Sequence, residues 1–261
     1  MSNDKGFKIG VVDWKIGKTG DPGSFAVAKK FGLDGVQVSL APEKDHIPLM
    51  QKAVQKKFLN ESKKHNVAIT SLAIGALNGV PYKSSPVAEK WVSDSIDVCK
   101  ALKVKNVLLA FFGPIAEIQG DHKGIDEVVK RLKKVAPKAE AAGVVLGLES
   151  WLSAWETKDI LDRVGSPAVK MYYDVGNSHK MGYDIYEEIR WLGRESICEF
   201  HAKDYKNIFG KGKVNFPAVR AAMDDIGYRG WIQIEGKTPL GLEESYRQNE
   251  RYLRKIFPPK V

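Results

Sequence analysis

The stretch VVLGLESWLSAWETKDILDRVGSPAVKMYYDVGN, Val144 to Asn177, holds the repeating unit of the chain. An apolar run, VVLGLES, leads to a segment of helical period, TKDILDRVG, and then to a second apolar run, VKMYYDV. Each run ends at a carboxylate, Glu149 in the first and Asp174 in the second. One strand-end carboxylate means little, because Asp commonly starts a turn. The pattern gains meaning only if other runs end the same way.

Working outward, short apolar runs recur as KIGVVDW, GVQVSL, AITSLAI, NVLLAFF, VVLGLES, VKMYYDV, ICEFHAKD and WIQIEG. Helical periodicity falls between them, in SFAVAKKFG, IPLMQKAVQKKFLNESKKHN, SPVAEKWVSDSIDVCKALKV, IDEVVKRLKKVAPKAEAAG, TKDILDRVG, YDIYEEIRWLG, NFPAVRAAMDDIG and GLEESYRQNERYLRKIF. Eight strand-then-helix units over 261 residues predict an α/β protein with a single (β/α)8 TIM barrel, one domain over residues 1–261. Near-continuous apolar runs, rather than strict alternation, suit strands covered by helices. The structural rival, a doubly wound open sheet, would carry a phosphate fingerprint after the first strand. GVVDWKIGKT, Gly10 to Thr19, imitates one, but the spacing from Gly10 to Gly17 is too long for a phosphate loop.

Bulk properties narrow the classes further. The formal charge is +9 and the pI about 9.3. A basic surface can attract nucleic acid or an anionic substrate. Here the basic residues lie mostly in helical segments interleaved with Glu and Asp, so a solvated surface is the plainer reading. Two distant cysteines, Cys99 and Cys198, give neither a disulfide framework nor a zinc finger. No run of about 18 apolar residues predicts a membrane span. MSNDKGFKIG has no apolar signal region, and a cytoplasmic protein is expected.

A barrel gathers its strand C-termini around one axis. Strand five ends at Glu149, strand six at Asp174, strand seven at His201 in EFHAKD and strand eight at Glu235 in IQIEGK. Three carboxylates in one pocket repel unless a cation offsets them. A divalent metal does so, and a neutral imidazole completes an oxygen and nitrogen donor set without thiolate. That set favours Mn²⁺, Co²⁺, Mg²⁺ or Zn²⁺ over softer ions.

On GLES at Glu149, YDVGN at Asp174, FHAKD at His201 and IEG at Glu235, the chain resembles the sugar phosphate isomerase/epimerase superfamily with the xylose-isomerase-like TIM barrel. The resemblance covers essentially the whole length, and the functional look-alikes are ketose 3-epimerases and hydroxypyruvate isomerases. It implies one divalent metal, Mn²⁺ first, held by Glu149, Asp174, His201 and Glu235, with Glu149 and Glu235 also the catalytic acid/base pair. It implies a metal-dependent epimerase or isomerase of a ketose or ketose phosphate. Such an enzyme takes a proton next to a carbonyl through a metal-bound enediolate. The sequence departs from the family where a substrate-binding His is common three residues after the aspartate. Asn177 stands there, with His179 two further on. An Arg expected after strand seven is also missing, and Lys206, Lys211 and Lys213 are the cations of that loop.

Trp14, Glu156, Asn177, His179 and Lys203 are the candidate substrate-binding residues. Gln37 is a candidate hydroxyl or phosphate contact, and Phe111, Phe112, Trp151 and Trp155 are candidate pocket walls. The expected partner is a small-molecule sugar or sugar phosphate, with no nucleic acid and no membrane; a homo-oligomer is left open. Three rivals remain. A lyase or dehydratase on an oxidised sugar would use the same metal site. An endonuclease IV-like repair enzyme would need several more strand-end histidines, whereas His46, His65 and His122 fall in loop or helical segments. A sugar-binding module would not need two opposed glutamates.

Overall fold

A computed structural model of the chain describes residues 6–259. Eight parallel strands close into a barrel in sequence order. They are β1 (Lys8–Val12), β2 (Gly35–Ser39), β3 (Ala68–Ile74), β4 (Asn106–Phe111), β5 (Val145–Ser150), β6 (Val169–Asp174), β7 (Ile197–Ala202) and β8 (Trp231–Ile234). All eight lie on the apolar runs read from the sequence, and β8 pairs with β1 to close the ring. The open-sheet alternative is thereby excluded.

The described residues include nine α-helices: α1 (Ser24–Lys30), α2 (Lys52–His65), α3 (Pro86–Leu102), α4 (His122–Ala142), α5 (Ala154–Val164), α6 (Val175–Lys180), α7 (Ile185–Ser196), α8 (Phe216–Asp225) and α9 (Leu242–Ile256). Eight match the periodic segments, with displaced ends. α2 begins only after a short 3₁₀ turn at Pro48–Met50, and α5 begins before Thr157. The earlier start of α5 comes from a capping box, in which Ser153 accepts from the Glu156 amide while Glu156 accepts from Ser153. The ninth helix, α6, follows Asp174 directly, where the sequence suggested only a glycine turn.

The imitation phosphate loop is a strand followed by a 3₁₀ turn, Asp13–Lys15, and no helix begins at Lys18. Asp13 is fully buried there and takes the amides of Ser39 and Gly20 and the Ser39 hydroxyl. Burial pushes its carboxyl up to about 6, against the pull of those donors. This knot fixes the turn that carries Trp14. Elsewhere the helix surfaces pair their charges three or four residues apart, as in Lys158–Asp162, Arg247–Glu243 and Arg254–Glu250. There the solvated-surface reading of the basic composition holds. No helix among the described residues is long and apolar enough to cross a membrane.

The barrel interior is polar beneath the strand ends. Glu199 on β7 is buried and accepts from Ser71 (3.1 Å), Asn106 (2.9 Å) and Gln233. Burial pushes this carboxyl up, against the pull of the same donors. Gly10 is required at its position because a Cβ there would run into the Gln233 side chain. A polar floor of this kind is satisfied only if each strand keeps its register, so it reinforces the stagger that places the next layer up.

Candidate active site and metal centre

That next layer is the strand-end set. Asp174 and His201 are direct partners in the β6–β7 register, Glu149 lies near the end of β5, and Glu235 follows β8 by one residue. Each directs one donor atom to a common space, and the four atoms lie within 4.8 Å of one another. The cavity above them, about 440 Å³, is lined by Glu149 and Glu235 and walled by Trp14, Phe112 and Trp151.

Asp174 serves two purposes at once. Its Oδ1 accepts the backbone amides of Gly176 (2.8 Å) and Asn177 (2.9 Å), capping α6. Its Oδ2 is buried with no hydrogen-bond partner. One oxygen thus serves the turn, and the other is left free to serve a ligand. Gly176 has a different reason from keeping bulk off a metal. A Cβ there would lie 2.7 Å from the Lys203 backbone, so glycine lets α6 pack against the end of β7.

His201 is fully buried and its orientation is fixed from behind. Its Nε2–H donates to Gln37 Oε1 at 2.8 Å, while Gln37 Nε2 donates to Ser71 and Tyr172, both at 3.0 Å. This turns Nδ1 toward Glu149 (3.5 Å), Asp174 (3.7 Å) and Glu235 (3.9 Å), where loss of its proton would free a lone pair for a metal. Those distances are too long for hydrogen bonds, and Nδ1 is an orphaned buried atom like Asp174 Oδ2. Gln37 is thus a buried support of His201 and makes no contact with the cavity, which corrects its reading as a substrate contact. Replacing Gln37 with Ala should weaken divalent-metal affinity about 10- to 100-fold, the usual consequence of removing the group that orients a ligating histidine. Titration with Mn²⁺ followed by electron paramagnetic resonance measures it.

The donor set fits a divalent ion. Two orphaned atoms and two carboxylates converge on one point, and leaving such atoms unmet costs about 1–3 kcal/mol each. Lys203 Nζ lies 2.6 Å from Glu235 and 3.4 Å from Asp174, and Lys15 Nζ stands 3.7 Å from Glu235. In the metal-free protein these two ammonium groups and a protonated His201 offset the three carboxylates, a role a divalent ion would take over as His201 gives up its proton. Burial alone would raise Asp174, but Lys203 and His201 hold it well below the usual range. Burial drives Glu149 up, with the neighbouring carboxylates adding to the rise. Burial also disfavours a charged His201, yet the carboxylates of Glu149, Asp174 and Glu235 overcome that and raise it.

A pH dependence follows. The metal-free His201 holds its proton through neutrality, and a ligand must be neutral, so loading displaces that proton. Apparent metal affinity should rise with pH, by about tenfold per unit while one proton is displaced. Titration calorimetry in buffers of different ionisation enthalpy reads the proton released.

A family model described as the xylose isomerase-like TIM barrel matches residues 25–256. The chain belongs to this family. Among curated proteins, this family member is similar to a 2-epi-5-epi-valiolone 7-phosphate 2-epimerase of Actinoplanes sp. The two are 23% identical over 202 residues, covering 76% of this chain and 72% of the relative. Its fold is shared by D-psicose 3-epimerase of Clostridium cellulolyticum H10, solved with D-tagatose (TM-score 0.78, 17% identity, covering 96% and 99% of the two chains). It is shared also by D-allulose 3-epimerase of Methylomonas sp. in complex with D-allulose (0.77, 15%, 98% and 99%).

The other predicted residues of this xylose isomerase-like barrel separate into two groups. Trp14 donates its indole N–H to Glu235 Oε1 at 3.0 Å, and Asn177 donates its amide to Glu149 Oε1 at 2.9 Å. Lys203, Trp151 and Phe112 also line the cavity. His179 does not; it lines a second cavity beside the first. Glu156 is held in the α5 capping box and lines neither. Phe111 is a core residue against Tyr82, and Trp155 stacks on Trp191 at the surface. Sequence reasoning missed Thr19, Ser39 and Asn78, which line the cavity from loops and strand ends that carry no motif.

Proposed function

We propose that the protein is a divalent-metal-dependent sugar epimerase acting on a carbon next to a ketone. The observation that carries this reading is the pairing of Glu149 and Glu235 in one site. They come from the ends of strands separated by β6 and β7, and both line a cavity large enough for a monosaccharide. Glu149, Asp174, His201 and Glu235 would hold the ion, Mn²⁺ first by their oxygen and nitrogen donors. When bound, the ion supplies a Lewis acid for a carbonyl and its neighbouring hydroxyl, acidifying the carbon-bound proton between them.

The chain's own groups do the rest. One glutamate takes the proton from carbon on its face of the sugar, and the other returns one on the opposite face. Glu235 is held by an indole N–H and an ammonium on its two oxygens, so its aim is fixed. Asn177 keeps Glu149 in place. Trp14, Phe112 and Trp151 offer apolar faces to sugar C–H surfaces and limit water above the reacting carbon. The epimerases named among the relatives support the same reading.

Of the four non-site histidines, three lie away from this centre, on the loop before α2 and at the ends of α2 and α4. That speaks against a multi-zinc nuclease centre. Incubation of the Mn²⁺-loaded protein with a panel of ketoses in D₂O tests the proposal. Epimerisation places solvent deuterium on the inverted carbon, because the returned proton comes from a different glutamate. An aldose product would replace epimerisation with isomerisation, and loss of water or of a glycosidic substituent would indicate the lyase. No exchange with any ketose would overturn the reading.

A further inference from the structure

The second cavity is cationic in a way the helix surfaces are not. It measures about 790 Å³ and shares Trp151, Asn177 and Lys203 with the first, so the two adjoin at those side chains. Lys180 from α6, Lys206 and Lys213 from the loop after β7, and Lys237 from the loop after β8 all line it, and no Asp or Glu does among the described residues. Lys180 lies over the Trp151 ring at 4.8 Å. Lys206, Lys213 and Lys237 form no ion pair among the described residues. Unpaired lysines elsewhere, such as Lys52, Lys56 and Lys57 on α2, are exposed on a helix surface, whereas these converge on one concavity.

Three further features show that the site is built. His179 lines the cavity with a buried Nδ1 that has no hydrogen-bond partner. Tyr205, edge-on to His179, holds a left-handed backbone at φ 52°, a conformation costly for a residue with a side chain. The loop that carries Lys206 and Lys213 is pinned from inside. Asp204, fully buried, accepts the Lys213 amide at 3.0 Å, and a Cβ on Gly212 would run into the Asp204 carboxylate.

We propose that this cavity is a subsite for a phosphate monoester at the end of the substrate remote from the reacting carbon. A phosphate carries close to two negative charges at neutral pH and several acceptor oxygens, matching several ammonium groups and an unmet imidazole nitrogen better than a single carboxylate does. Barrel enzymes recurrently seat phosphate in the loops after strands seven and eight, where Lys206, Lys213 and Lys237 stand. The site is a concavity adjoining the cavity of Glu149 and Glu235, which suits a small phosphorylated sugar and not a nucleic-acid backbone tracking a stripe of charge. The proposal rests on the sugar reading of the main cavity for the carrier of the phosphate, and on the lysine cluster alone for the phosphate itself.

Calorimetric titration of the Mn²⁺-loaded protein with D-fructose 6-phosphate, D-fructose and D-gluconate tests it. The phosphate ester should bind about tenfold or more tightly than the other two. Lys206→Ala/Lys213→Ala/Lys237→Ala should remove that preference and leave the affinity for D-fructose unchanged. The charge-matched control Lys52→Ala/Lys56→Ala/Lys57→Ala on α2 should retain it. Equal affinities, a preference for the carboxylate, a preference that survives the triple variant, or displacement of the ester by duplex DNA would each overturn the proposal. These readouts need no turnover. Absence of deuterium exchange with any ketose, alongside a lysine-dependent phosphate preference, would remove the epimerase and leave the subsite.

Discussion

Glu235→Gln and Glu149→Gln should each fold normally and lose about 10²–10⁴-fold in turnover, the range typical for removal of a positioned acid or base. The substitutions keep size and shape, so Trp14 can still donate to position 235 and Asn177 can still meet position 149. What they remove is the capacity to exchange a proton, together with one negative charge from the metal centre. Two measurements separate those effects. Bound metal is determined by elemental analysis, and rate is measured at saturating Mn²⁺. A variant that turns over at near the wild-type rate at saturating metal takes its residue out of the mechanism. The variants should also differ in deuterium exchange. Removing the glutamate that returns the proton leaves the first abstraction intact, so exchange at the starting configuration can outlast epimerisation.

The second large effect concerns the metal itself. His201→Ala and Asp174→Ala should each abolish stoichiometric divalent metal after loading and gel filtration. Asp174 needs a more careful substitution than His201, because its Oδ1 caps α6. Alanine there costs about 0.5–2 kcal/mol of stability apart from any loss of metal. Asn at position 174 retains a capping oxygen while removing the negative charge. Asp174→Asn should therefore keep a melting temperature close to wild type in the metal-free state and still lose metal. Full metal content in both His201→Ala and Asp174→Asn would show the ligand assignment to be wrong.

The sequence by itself determined the barrel and the four strand-end residues. The reason is physical: a buried parallel strand must be apolar nearly throughout, so each strand stands out as an apolar run, and a polar residue at its end is conspicuous. Glu149, Asp174, His201 and Glu235 each stand at or near the end of such a run. Their convergence then follows from closure of the ring in sequence order. The sequence also marked Asn177 and Lys203 by their nearness to two of those residues.

Only the tertiary structure decided what the remaining polar residues do. Gln37 and Glu156 both looked like ligand contacts, yet one supports His201 from inside the barrel and the other caps its own helix. Nothing local distinguishes these uses, because a side-chain amide or carboxylate is read only by what lies opposite, and for Gln37 that partner is 164 positions away. His179 stands at the site end of the barrel but lines the adjoining cavity, since the turn of α6 after Asp174 sets its direction. The lysines show the same limit most clearly. In the sequence they are part of a uniformly basic chain, and on the helices several pair with carboxylates three or four residues away. Lys180, Lys206, Lys213 and Lys237 come together without carboxylates only because the loops after β6, β7 and β8 meet at one mouth of the closed barrel.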